Sequence, residues 1–225
     1  MRTKIVTLLA AALSLGFVQA ASAADMPVKM PVKAAPIVAP VYNWTGFYVG
    51  INGGIGWGRT NQTDTSGVTS GTYTQTGALA GGTVGYNYQI NNIVLGIEGD
   101  FDWANINGST SPTVCSVSCY TNLHWLSTIR GRAGLAYGMW LPYITGGAAF
   151  GSIATGQTGL PAFAVTTTRT GWTIGAGLEA MFAPKWSAKL EYLYTDLGTS
   201  TYVVAIPVNV TERVSIVRAG INYHF

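Results

Sequence analysis

The last nine residues limit what this chain can fold into more sharply than any other stretch. Val217, Ala219, Ile221, Tyr223 and Phe225 share one parity, and Arg218, Gly220, Asn222 and His224 share the other. Successive side chains of a strand point to opposite faces, so a strict two-residue period predicts a strand with one apolar and one polar or small face. The same texture recurs upstream. In 186–195, Trp186, Ala188, Leu190, Tyr192 and Tyr194 oppose Ser187, Lys189, Glu191 and Thr195, with Leu193 as an exception. In 171–182, Trp172, Ile174, Ala176, Leu178 and Phe182 oppose Thr173, Gly175, Gly177 and Glu179. Four further segments alternate in the same way, within 47–57, 83–88, 95–103 and 125–137. Segment 141–151 is a strand by composition, with its facing left open. That makes eight candidate strands.

An apolar face repeated eight times needs a partner, and two solutions compete. In a soluble β-sandwich the outer faces meet water and carry charge. Here charged residues are only 9% of the chain, against about 25% in ordinary soluble domains. Gly numbers 29, and Trp and Tyr together 19. No window after the N-terminal segment approaches the length of a spanning helix. A helix-poor, apolar, glycine- and aromatic-rich chain fits a barrel in lipid, because only helices and closed barrels satisfy every backbone polar group there.

The N-terminus supports export. Arg2 and Lys4 precede the apolar stretch Ile5–Val18 and then Ala21-Ser22-Ala23, the pattern of a secretory signal with its cleavage site. Cleavage there leaves 202 residues (225 minus 23) and, with Arg2 and Lys4 gone, lowers the formal charge from +3 to +1. The basic balance is therefore no argument for nucleic-acid binding. Residues 24–41 carry Pro27, Pro31, Pro36 and Pro40 with Lys29 and Lys33, a composition that predicts an extended tether. The expected organisation is a signal peptide over 1–23, a periplasmic Pro-rich tether over 24–41 and one barrel domain over 42–225.

Connection lengths alternate. Those at 89–92, 138–140 and 183–185 are short, and those at 58–72, 105–121, 152–167 and 198–208 are long. Outer-membrane barrels have short periplasmic turns and long external loops. The expected fold is an all-β, eight-stranded, antiparallel up-and-down transmembrane barrel with four long external loops. Both termini then lie in the periplasm. Trp44, Trp57, Trp103, Trp125, Tyr137, Trp140 and Trp186 are assigned to the two interfacial aromatic girdles.

Several motifs stand in a fixed order: Trp44-Thr45-Gly46-Phe47-Tyr48-Val49-Gly50, Gly85-Tyr86-Asn87-Tyr88, Leu141-Pro142-Tyr143 with Gly146-Gly147, Lys189 to Gly198, and Arg218 to Phe225. Together they resemble the small outer-membrane surface proteins of alphaproteobacteria, related to opacity-type and OmpA-type eight-stranded barrels. The resemblance covers Tyr42 to Phe225 and implies an integral outer-membrane protein, in contact with outer-membrane lipid and lipopolysaccharide. It also implies that the terminal aromatics Tyr223 and Phe225 are the signal read by the barrel-assembly machinery. No recognised motif covers the long loops, so their ligands on a host or another surface are left open.

The inward parity gathers Glu98, Asp100, Asp102, Glu179 and Glu191 against Arg130, Arg132, Lys189 and Arg218. Eight strands leave an interior just wide enough for side chains to fill, and buried charges need partners. A lumen salt-bridge network that plugs the barrel is the expectation; a narrow solute path lined by the same charges is the alternative. Assuming Phe182 opposite Trp186, Glu179 falls opposite Lys189, and the two are expected to form an ion pair.

Catalysis in small outer-membrane barrels needs an activated serine or an Asp–His pair at the outer rim. His124, placed roughly opposite Asp102, permits such a pair, but an inward histidine more often just binds a carboxylate, so no enzyme is expected. No metal cluster, phosphate loop or cofactor motif is evident. Cys115 and Cys119, both exported, are expected to form a local disulfide rather than a metal site. Three functions follow: a structural, envelope-maintaining surface protein; a narrow porin; and a haem- or ligand-binding surface protein, for which His124 is the only candidate axial ligand.

Overall fold

A computed structural model describes residues 42–64, 69–109, 119–157, 160–203 and 207–225. Within these, residues 60–64, 69–72, 119, 155–157, 160–165, 200–203 and 207–210 are described by backbone pairing alone. The proposed signal peptide and tether lie outside the described residues, as does Cys115.

The chain runs through eight strands: β1 (Gly46–Asp64), β2 (Thr69–Ile90), β3 (Ile93–Ser109), β4 (Cys119–Leu135), β5 (Trp140–Gln157), β6 (Leu160–Ala183), β7 (Trp186–Val203) and β8 (Pro207–His224). Each pairs antiparallel with the next, and β8 returns to β1, from Tyr48↔His224 to Asp64↔Val208, closing the barrel. Closure leaves no strand edge, which is the condition for a sheet to sit in hydrocarbon. The short turns behave as their sequences suggest. Asn91 takes φ 55 in the β2–β3 turn and Gly138 takes φ 59 between β4 and β5, left-handed conformations that Asn and Gly tolerate best.

The strands are longer than the apolar alternation. Most of the stretches read as long connections continue as ladder; for example, Thr60 pairs with Tyr73 and Arg59 with Thr74. The physical reason is that an outward apolar face marks a strand only where lipid lies against it. Above the lipid the outer face is polar, and runs such as Thr72-Tyr73-Thr74-Gln75-Thr76 show only β-propensity.

Outside, Ile51 (72% exposed), Ile97 (68%), Ile144 (67%) and Ile129 (65%) sit in an apolar belt. A soluble domain would not leave such residues in water; lipid is their solvent. Aromatics bound the belt on both sides. Near the turns lie Phe47 packed on Tyr86, and Trp186, Tyr223 and Phe225 in successive edge-to-face contacts. At the other end lie Phe101 with Trp103 and Trp125, and Trp172 with Tyr194. Trp44 does not belong to this girdle. It is 0% exposed and packs with Val94, Leu141 and Met181. It precedes β1, where the strand period does not yet govern facing, so the chain folds it under the barrel mouth.

The open facing of β5 is settled by its neighbours. Leu141, Tyr143, Thr145 and Ala149 are buried, while Pro142 and Ile144 face outward.

Candidate functional site: the filled lumen

Read from the turns upward, the inward residues change chemistry in layers. At the bottom is the Trp44 cluster. Above it, β3 contributes Glu98, Asp100 and Asp102; β4 contributes Arg132, Arg130 and Thr128; β6 Glu179; β7 Ser187, Lys189 and Glu191; and β8 Asn222 and Arg218, all buried. Next comes an apolar layer of eleven buried residues, among them Ile106, Leu123, Leu126, Ile153, Leu193 and Ile216. Leu193, which breaks the alternation of β7, has the inward position its parity demands and belongs to this layer. The top is polar again: Gln75 donates to Glu212 at 2.9 Å, and the Tyr73 and Thr121 hydroxyls lie 2.7 Å apart.

The charged layer is cross-linked by arginines, whose planar forks bind several carboxylates at once. Arg130 reaches Glu191 at 2.9 Å, Asp100 at 2.8 Å, and also Glu98. Arg218 reaches Asp102 at 2.7 Å, Glu191 at 2.8 Å and Asp100 at 3.0 Å. Arg132 donates to Glu179 at 2.6 Å and to the Tyr48 hydroxyl at 3.0 Å, with its guanidinium 4.1 Å from the centre of the Tyr143 ring. Lys189 binds Glu98 at 3.0 Å. Neutral donors complete the shell: Tyr48 donates to Glu98, Tyr143 to Glu191, Thr128 to Asp100, and Ser187 and Asn222 to Glu179.

The glycines of the lumen make this possible. A Cβ on Gly147 would meet the backbone oxygen of Ile129 at 2.1 Å, and one on Gly85 would meet the Tyr48 ring at 2.4 Å. Bare backbone at these points lets large side chains from neighbouring strands lie flat across the sheet.

All nine charged residues expected in the lumen are thus in one network. The partnership expected between Glu179 and Lys189 is corrected. They are Cα partners as the register requires, but no ion pair joins them among the described residues. Glu179 binds Arg132, and Lys189 crosses the lumen to Glu98. In a narrow barrel, long side chains reach past the adjacent strand, so register does not select the partner. The turn also differs: Ala183 pairs with Trp186, and the register shifts between Met181 and Ala183.

His124 is corrected as well. It is exposed, at a register shift between Leu123 and Trp125, and Asp102 pairs instead with Leu126 and binds Arg218. An extra residue at that point turns His124 outward. The Asp102–His124 pair does not form. The other histidine, His224, sits beside Ser187 at 2.9 Å, edge-on to Trp44. Among the described residues no group of three His, Cys, Asp or Glu is placed to hold a metal ion. Tyr48, Tyr143, Thr128, Ser187 and Asn222 are members of the network that charge alone did not reveal. Their inward parity was the signal that would have found them.

A closed eight-stranded barrel with a lipid-facing apolar belt, aromatic girdles and a filled polar-charged interior defines an integral outer-membrane β-barrel protein. The family and its sequence relatives agree. The family model described as outer membrane protein beta-barrel domain matches residues 8–225, and the chain belongs to that family. It is 36% identical to the 31 kDa outer-membrane immunogenic protein of Brucella melitensis, over 93% of this chain and 95% of the relative. It is 34% identical to the 25 kDa outer-membrane immunogenic protein of Brucella abortus, over the full length of both. Among solved structures, Neisserial surface protein A aligns at a TM-score of 0.45 and 16% identity, over 80% of this chain and 98% of that one. The protein resides in the bacterial outer membrane.

Proposed function

We propose that this barrel is a non-conducting, non-enzymatic structural element of the outer membrane, which stiffens the envelope and holds its external connections at the cell surface. The observation that supports this most is the apolar layer above the charge network. An ion crossing the barrel would have to pass Leu126, Ile153 and Leu193, buried in the lumen beside Thr173 and Thr195, after breaking ion pairs that are almost wholly buried. Removing one partner of such a pair costs roughly 3–5 kcal/mol. A narrow porin is disfavoured on the same ground. The outward setting of His124 likewise gives haem ligation no support from the lumen. In this reading the terminal aromatics Tyr223 and Phe225, which meet edge to face with ring centroids 5.3 Å apart, are the segment read by the barrel-assembly machinery. The relatives' names describe those proteins as immunogenic, which accords with external connections displayed at the surface. Planar-bilayer recording tests the reading: the wild-type barrel should give no steady single-channel steps, and a regular open conductance would overturn it.

A further inference from the structure

The outer surface carries a feature that the filled lumen does not explain. Arg59 on β1 and Arg213 on β8 are direct Cα partners on the outward face. Like charges directly opposite one another on a sheet are unfavourable unless something neutralises them. Among the described residues Arg213 has one counter-charge, Asp196 at 3.1 Å, yet keeps 59% of its side chain exposed. Arg59 is also exposed. The two arginines line a groove of about 520 Å³ whose walls include Trp57, Tyr194 and Thr211.

The height of this groove identifies its surroundings. Phe47 lies in the aromatic girdle near the turns, and Trp57 follows ten residues later on the same outward face. Ten strand residues tilted about 40° rise roughly 25 Å, the height of the apolar band of an outer-membrane barrel. Trp57 therefore marks the upper edge of the band, and Arg59 and Arg213 stand one step above it. That is headgroup level in the external leaflet. A lipid held there lays its chains along the aliphatic belt below and presents its headgroup to both guanidiniums.

We propose that Arg59 and Arg213 clamp the phosphate of an outer-leaflet lipid headgroup, with Trp57 and Tyr194 flanking the site. A phosphate accepts from two arginine forks at once. It relieves the repulsion between them and leaves the Asp196 pair in place. A neutral or zwitterionic headgroup does only part of this.

The test uses barrel purified from the envelope and reconstituted into phosphatidylcholine bilayers. Brominated phosphatidic acid or brominated phosphatidylcholine is titrated in, and quenching of Trp57 is taken as the difference between the wild type and a Trp57→Phe variant. Phosphatidic acid should be preferred about fivefold, the value for one uncompensated basic residue at a membrane surface. The preference should fall to about one in the Arg59→Gln/Arg213→Gln double variant and persist in Arg59→Lys/Arg213→Lys. Equal quenching by both lipids in the wild type would overturn the site, whether or not the variants fold. An unchanged preference in the glutamine variant would also overturn it. If inorganic phosphate alone reproduces the Trp57 response in phosphatidylcholine bilayers, the lipid assignment fails.

Discussion

Replacing Arg132 by methionine asks the lumen a specific question: does the adjacent strand or the strand beyond it neutralise Glu179? The Arg132 Nη–Glu179 Oε distance is 2.6 Å, with side chains 1% and 0% exposed. Arg132→Met would leave that carboxylate with Ser187 and Asn222 as hydrogen-bond donors and the His224 ring 3.6 Å away, and would leave the Tyr48 hydroxyl without its cation. A buried charge stripped of its partner costs roughly 3–5 kcal/mol. The two remaining neutral donors place the expected loss near the lower end, about 3 kcal/mol. Glu179→Gln should cost less, because the amide keeps its size and can still bond its neighbours. A charge-assisted bond is worth about 1.5–3 kcal/mol, so the coupling in the Arg132→Met/Glu179→Gln cycle should be about 2 kcal/mol. The parallel cycle with Lys189→Met should couple by at most about 1 kcal/mol, since those residues share register but no bond. The assay is urea unfolding in detergent micelles, followed by tryptophan fluorescence and by gel mobility of unheated samples. A Lys189 coupling equal to or larger than the Arg132 coupling would refute the assignment of Glu179 to β4 and restore simple neighbour pairing.

Three further outcomes are expected. Gly147→Ala should destabilise the barrel by about 1–3 kcal/mol, as overpacking does, because the added Cβ meets the Ile129 backbone at 2.1 Å rather than a movable side chain; unchanged urea unfolding would contradict the close approach of β4 and β5. Non-reducing peptide mapping of envelope-purified protein should join Cys115 to Cys119, with little effect of reductant on stability because so short a loop has little entropy to remove; two free thiols would refute the bridge. The mature protein should begin at Ala24 by N-terminal sequencing, and any other start would move the boundary between signal peptide and tether.

The sequence alone determined the class of structure and, outside β5, the face on which most membrane-level residues lie. Pleat geometry is local: once Val217 and Ile221 face lipid, Arg218 and Asn222 must face inward, whatever the rest of the chain does. Charge scarcity and the spacing of the short turns then excluded a soluble sandwich and set the order of strands. Even Leu193, the apparent exception, followed its parity; only its apolar surroundings inside the barrel were unexpected. The tertiary structure decided what parity cannot express. Trp44 lies before the first strand, so no period assigned it, and it fills the barrel mouth. His124 is turned outward by one extra residue in β4, a shift no local pattern announces. The upper strands carry a polar outer face and lose the outward apolar signal where the lipid ends. Above all, the partners of Glu98, Glu179 and Lys189 depend on closure. When β8 returns to β1, side chains from strands far apart in sequence share one narrow space, and distance across that space, not position along the chain, selects each ion pair.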